Sequence, residues 1–204
     1  ITPGSGPGHL SLFGYDPTEY VVGRGALSAL GVGFDLKAGD LAARLNLATL
    51  DAEGLILDRR AGRPSDEEGR RVVEKLQAGI VAPDGIEVFL DHEKEHRAVL
   101  ILRGKGLQAA LTDTDPQATG VPPLPVKATE PGSEKSAALM QGILDQIREL
   151  LKEEGQVSGV LARGFAAYEG FPSFQERYGL RALAIAQYPM YRGVARLVGM
   201  DVKD

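Results

Sequence analysis

The stretch Pro3-Gly4-Ser5-Gly6-Pro7-Gly8-His9-Leu10-Ser11-Leu12-Phe13-Gly14-Tyr15-Asp16-Pro17 carries a tight Gly/Pro turn into a short apolar segment. The turn reads as ending at Ser5, with a helix over residues 6–14. Proline is tolerated in a first helical turn because its missing N–H would have no partner there. Ser5 then occupies the N-cap, beside free backbone N–H groups and the positive end of the helix dipole. A phosphate or an attacking oxyanion is well stabilised at such a position. The local pattern leaves two readings of Ser5, a helix cap and a nucleophile, and the cap is the commoner of the two.

Downstream, Gly23-Arg24-Gly25 leads into a short helix through Leu27 and Leu30 that ends at Gly31 or Gly33. Arg24 either brings its guanidinium near the Ser5 turn or is a solvated turn arginine. Residues 41–50 alternate as a strand with one apolar face. A turn at Asp51-Ala52-Glu53-Gly54 makes 41–60 a β-hairpin, which delivers Arg59, Arg60 and Arg63 as a local anion site. Ser65 caps a helix that runs to Gly79, and Arg70 and Arg71 within it read as solvated charges.

Strands over 86–90 and 98–102 flank a polar tip. His92 and His96 lie around that turn rather than on one helix face, so His96-Arg97 reads as an anion-contacting pair at a sheet edge. Asp113 and Asp115 share a face if their segment is extended. They would then accept hydrogen bonds from substrate hydroxyls, or else form an Asx-type turn before Pro116. Residues 121–131 form a proline-rich loop. Ser133 caps a core helix with a stripe of Leu139, Ile143, Ile147, Leu150 and Leu151. A strand over 157–162 ends at Arg163-Gly164. After it come a short helix 174–178, a strand 180–186, a helix 188–198 and the start of a strand at Met200. The fold class is α/β or α+β, a mixed sheet with flanking helices.

At 204 residues with 43% hydrophobic and 25% charged composition, the chain can bury a sizeable core. A formal net charge of -5 argues against nucleic acid as a partner. No apolar run approaches a membrane span of about 20 residues. The absence of cysteine excludes disulfides and thiolate metal sites and fits a cytoplasmic protein. The histidines show no metal-binding spacing.

The motif Gly-Ser-x-x-x-His-Leu-Ser-Leu-x-Gly-Tyr-Asp-Pro, followed by Tyr20-x-x-Gly-Arg-Gly, resembles the nucleophile region of cofactor-independent phosphoglycerate mutases of archaeal type. These belong to the alkaline-phosphatase superfamily. The resemblance extends through Leu45-Asn46-Leu47-Ala48-Thr49, Asp58-Arg59-Arg60-Ala61-Gly62-Arg63, His96-Arg97-Ala98, Leu111-Thr112-Asp113-Thr114-Asp115-Pro116 and Pro172-Ser173-Phe174 to Gly199-Met200-Asp201-Val202. It implies that Ser5 carries a phosphoryl group between 3-phosphoglycerate and 2-phosphoglycerate. It also implies that Arg24, Arg59, Arg60, Arg63, His96, Arg97, Asp113 and Asp115 hold this small phosphorylated carboxylate.

By the same resemblance residues 1–20 and 166–204 are pieces of a phosphatase-type domain, and 21–165 form an inserted transferase-type domain. Two divalent ions, Mn2+ or similar, are implied for the intact enzyme, with Ser5 as one ligand. The other ligands are expected before residue 1 and after residue 204. The chain, which opens on Ile1 inside a motif, is therefore expected to be an inactive internal fragment that binds no metal. Gly6-Pro7-Gly8 and Lys94-Glu95 depart from the family's usual residues. A related phosphotransferase or phosphatase, a non-catalytic phosphate- or carboxylate-binding module and a homo-oligomer are the further possibilities.

Overall fold

A computed structural model describes residues 5–203, and of Ser5 only the backbone. In chain order the elements are α1 (Ser5–Leu12), α2 (Arg24–Val32), β1 (Leu41–Leu50), β2 (Ile56–Asp58), α3 (Asp66–Gly79), β3 (Ile86–Lys94) and β4 (Arg97–Gly104). They continue as α4 (Glu134–Leu151), β5 (Gly159–Ala167), α5 (Phe174–Tyr178), β6 (Leu183–Ile185), α6 (Pro189–Leu197) and β7 (Asp201–Lys203). None of these helices is long and apolar enough to cross a membrane.

β1 is the hub of a five-stranded sheet. It pairs with β4 along one edge, with β5 along the other, and with β2 past the end of β4; β3 then pairs with β4. Every pairing in this sheet is antiparallel. The parallel pairing of the expected mixed sheet is confined to a separate two-stranded sheet of β6 and β7. The alternation in residues 41–50 was expected to bury one face, but both are buried. Leu41, Ala43, Leu45 and Leu47 pack into one core with α3 and α4, while Ala42 joins Val99 and Ile101 under α2 and α6. Where α2 packs on the second face, β1 presents the small side chain of Ala42.

Local chemistry accounts for most boundaries. Ser65 Oγ accepts the Glu68 N–H at 3.2 Å and starts α3. Ser173 and Glu176 form a reciprocal capping box at α5. Ser133 precedes α4 but makes no cap bond, because its hydroxyl donates to Gln108 instead. The buried stripe of α4 runs through Ser136, Met140, Ile143, Ile147 and Leu151, with Leu139 and Leu150 at its margins. Arg70 and Arg71 are exposed as expected, and Arg71 also joins Glu68, Glu154 and Lys75 in an ion-pair network. β5 does not stop before Arg163: it runs on to Ala167 through Gly164, whose φ of +61° makes room for an extra residue.

α2 lies unusually close to β1. A Cβ at Gly25 would sit 2.3 Å from the Ala42 carbonyl oxygen. Gly25→Ala is expected to destabilise the fold by roughly 1–3 kcal/mol through overpacking. At exposed Gly142 of α4 an added Cβ meets nothing within 4 Å. There Gly142→Ala is expected to stabilise by roughly 0.5–1 kcal/mol. Urea unfolding followed by circular dichroism measures both, and equal effects would contradict this packing.

Candidate anion-binding site

α2 covers only part of the second sheet face. Ala42, Val99 and Ile101 lie in the apolar core that α2 shares. Beyond the start of α2 the same face of β1 carries Arg44 and Asn46. A cavity of about 490 Å³ opens there, lined by Arg24, Ser28, Arg44, Glu93, Asp113, Arg163, Gly164 and Tyr188, and by Gly6 and Pro7 of α1.

Two β-bulges shape this cavity, one in each outer strand. On β5 the register steps from Arg44↔Arg163 to Ala42↔Ala166, which places Gly164 and Phe165 opposite Ala43 alone. On β3 it steps from His92↔Ala98 to Lys94↔Arg97 and leaves Glu93 as the extra residue. Bulges re-aim side chains, and here both bulged segments contribute to the cavity wall.

The cavity is built for negative charge. Arg44 and Arg163 face each other across the β1–β5 pairing, and the Nε atom of each is buried with no hydrogen bond. Burial pushes the Arg44 pKa down. Glu93 opposes this, while the positive charges of Arg24, Arg97 and Arg163 add to it. An arginine stays protonated nonetheless, so the face holds positive charge that its own chain does not fully neutralise. The first turns of α1 and α2 both contribute to the wall. Gly23, the N-cap of α2, has no side chain to occupy the free N–H groups, so they are available to an anion.

The expected residues divide into groups. Arg24 and Asp113 line the cavity. Asp113 accepts the Gly164 N–H at 2.7 Å and lies 3.7 Å from Arg163, so it braces the wall. Arg97 donates to the Tyr188 hydroxyl at 2.7 Å, and Tyr188 is on the rim. Arg59 and Asp115 are instead closed on each other through two hydrogen bonds of 2.8 and 2.7 Å. The Asp115 side chain is fully buried. Burial raises its pKa, but the Arg59 hydrogen bonds, the Gln117 N–H and Arg163 outweigh that and leave it lowered. Asp115 also lies 3.2 Å from Nη1 of Arg163, and neither Arg59 nor Asp115 is among the residues that line the cavity.

Arg60, Arg63 and His96 do not line the cavity. Arg60 and Arg63 lie on a loop in which Ala61, Gly62 and Arg63 all have positive φ, and Asp58 accepts the N–H groups of Arg60 and Gly62. His96 was expected at an accessible sheet edge, but it is only 3% exposed and its Nδ1 has no hydrogen-bond partner. Burial first, then Arg97, Arg60 and Arg63, push its pKa down to about 4 against the pull of Glu95. At neutral pH it is uncharged, so the 3.8 Å approach of Glu95 is not an ion pair. Ser5, the expected nucleophile and metal ligand, has its side chain outside the described residues. α1 begins at Ser5 itself, which is thus the first helical residue rather than the N-cap.

Sequence reasoning missed Arg44, Glu93, Arg163 and Tyr188. The signal for Arg44 was its place as the one charged residue in a strand rich in leucine and alanine. Glu93 and Arg163 gave none, because a bulge is not visible in alternation.

The profile of the family described as 2,3-bisphosphoglycerate-independent phosphoglycerate mutase matches residues 1–156. The chain belongs to that family. It is 55% identical over 202 residues to a Thermus thermophilus protein named "Probable 2,3-bisphosphoglycerate-independent phosphoglycerate mutase", covering 99% of this chain and 50% of that one. A Deinococcus radiodurans protein of the same name is 55% identical over 205 residues, with the same coverage. Among solved structures, a cofactor-independent phosphoglycerate mutase from Thermoplasma acidophilum superposes with a TM-score of 0.75 at 32% identity, covering 96% of this chain and 55% of that one. The chain thus spans about half the length of the curated relatives it matches.

The state of His96 has a consequence for stability. Its folded pKa of about 4 lies below the ordinary 6.5, so below pH 6.5 the unfolded chain binds a proton that the fold refuses. The stability this histidine leaves intact above pH 6.5 is lost as pH falls toward 4, by up to about 1.4 kcal/mol per pH unit. Urea unfolding at pH 7, 6 and 5 should show this loss, and His96→Gln should flatten it. An unchanged slope in the variant would contradict a buried neutral His96.

Proposed function

We propose that the cavity binds phosphoglycerate, and that the longer protein interconverts 3-phosphoglycerate and 2-phosphoglycerate through a phosphoserine at Ser5. One observation carries this reading: two helix N-termini and three arginines converge on one cavity, and the buried Nε groups of Arg44 and Arg163 make no hydrogen bond, although Arg163 is ion-paired with Asp113 and Asp115 at 3.7 and 3.2 Å. Membership of the mutase family supports it.

In this mechanism Arg24, Arg44 and Arg163 hold the ligand's phosphate and carboxylate. The hydroxyl oxygen of Ser5, the residue next to Gly6 on the cavity wall, attacks phosphorus. Its P–O bond forms as the bond to the glycerate 3-oxygen breaks; Ser5 gives up its proton and the 3-oxygen gains one. Glycerate then turns within the arginine cluster, and its 2-hydroxyl takes the phosphoryl group back by the reverse exchange. The free N–H groups at the start of α2 stabilise charge on the transferring group.

The family implies a pair of divalent ions. Among the described residues no three His, Cys, Asp or Glu side chains converge, so these residues do not fit such a centre and no step here runs through it. Its ligands, for Mn2+ or a similar ion, are proposed to lie outside residues 5–203. A cytoplasmic location belongs to the same reading.

The division into an inserted unit of 21–165 and a unit built from 1–20 and 166–204 is also a proposal. Contacts distant in sequence support it. Tyr15 donates to the Pro172 carbonyl, Tyr178 to that of Phe13 and Arg177 to that of Gly14. Arg177 also stacks over Tyr15, Tyr20 and Tyr178 at 4.9, 5.5 and 5.7 Å. Leu183 and Ile185 of the β6–β7 pair are exposed, whereas parallel strands are normally covered on both faces.

Calorimetric titration of the 204-residue chain with 3-phosphoglycerate tests the site. Arg44→Ala and Arg163→Ala are each expected to weaken binding at least about tenfold, the value of a charge-assisted hydrogen bond, while Arg60→Ala leaves it unchanged. Equal affinities in all four proteins would overturn the reading. The 204-residue chain with Mn2+ is expected to show no mutase turnover, and measurable turnover would contradict the assignment of metal ligands to other residues.

A further inference from the structure

Glu93 is out of place in a cavity made for anions. It is the extra residue of the β3 bulge, and its Oε2 accepts the hydroxyl of buried Ser28 on α2 at 3.0 Å. The other acid on the wall, Asp113, is engaged with the Gly164 N–H and Arg163. Glu93 forms no ion pair within 4 Å, although Arg44 is near enough to feel its charge and has a buried Nε without a partner. A carboxylate and a guanidinium therefore share one cavity wall without closing on each other. A ligand that presents an anionic group to Arg44 and a hydroxyl to Glu93 satisfies both. A ligand with a second phosphate in place of that hydroxyl sets negative charge against negative charge, and like-charge contacts of this kind strongly disfavour the wrong ligand.

We propose that Glu93 is a specificity-determining residue of this cavity, accepting a hydrogen bond from the free hydroxyl of a monophosphorylated hydroxy acid and excluding its bisphosphorylated counterpart. The proposal rests on the reading of the cavity as a phosphoglycerate site. The orientation comes from Ser28 and from the bulge, which together hold the carboxylate on the wall, and its second oxygen accepts no hydrogen bond among the described residues.

Calorimetry on the 204-residue chain with 3-phosphoglycerate, 2,3-bisphosphoglycerate and the analogue of 3-phosphoglycerate lacking the 2-hydroxyl tests this. The wild-type chain is expected to prefer the monophosphate over the bisphosphate by at least about tenfold. Glu93→Gln keeps an acceptor oxygen and removes the charge, and should narrow that preference at least about fivefold, chiefly by tightening the bisphosphate. An unchanged preference, or an equal gain for both ligands, would overturn the proposal and show that Glu93 only balances charge. Should Glu93→Gln fail to fold, the deoxy analogue decides in the wild-type chain. It is expected to bind at least about fivefold more weakly than 3-phosphoglycerate, and equal binding overturns the proposal. No binding of 3-phosphoglycerate at millimolar concentration would instead remove the phosphoglycerate reading itself, and the role of Glu93 with it.

Discussion

Arg44 sits in the strand to which three other strands are hydrogen-bonded, and its charge constrains the surroundings. A guanidinium in the middle of a sheet cannot be left dry without partners, because burying an unpaired charge costs far more than burying an apolar side chain. The fold meets this by leaving the sheet uncovered over Arg44. α2 packs on Ala42 and stops short, and the space beyond its first residue becomes the cavity. On the opposite face the leucines at 41, 45 and 47 are sealed under α3 and α4. One strand thus supplies a core on one side and half a core and half a binding site on the other.

The remaining polar groups follow from how the edges of β1 and β4 are finished. A regular β5 would carry its alternation unbroken past Arg163. The bulge at Gly164 interrupts it, and that glycine also lets the first residue of α2 approach, since a Cβ there would lie 2.8 Å from the Arg24 Cβ. The bulge at Glu93 does the same on the other flank and links β3 to α2 through Ser28. Asp113 and Thr114 finish the outer edge of β5 by bonding to Gly164 and Ala162. Part of the acidic motif that looks like ligand chemistry in the sequence is therefore edge chemistry in the structure. Arg59 and Asp115 close on each other in a fork that ties the loop after β2 to the 111–116 segment.

Much of the fold was legible in the residues because the signals were local. The cap at Ser65, the short helix 174–178, the 41–60 hairpin, the 86–104 hairpin and the α4 stripe each depend on neighbours a few positions apart. The extent of β5 was not legible, because Gly164 reads as a terminator when its positive φ is in fact spent inside a bulge. The site was legible in part. Arg24 and Asp113 were found from motif context, whereas Glu93 and Arg163 needed the register of two strand pairs that sequence alone does not contain. His96 was misplaced for a related reason. A histidine at a hairpin tip reads as exposed, but this one is buried, near enough to Arg60 and Arg63 to feel their charges, and burial removes its own charge. Family resemblance pointed to a phosphate-handling protein and to Ser5; it did not distinguish arginines that face the cavity from those that brace the fold.

The central claim is that the anion is held by the arginines of the sheet face and not by the arginine-rich loop after β2. Side-chain Nε–Hε resonances of arginine, followed during titration of the 204-residue chain with 3-phosphoglycerate, test it most directly. The account predicts that the Arg44 and Arg163 signals shift as their Nε groups gain a hydrogen bond, while Arg60 and Arg63 stay in place. Movement of Arg60 and Arg63 with Arg44 and Arg163 unchanged would contradict it.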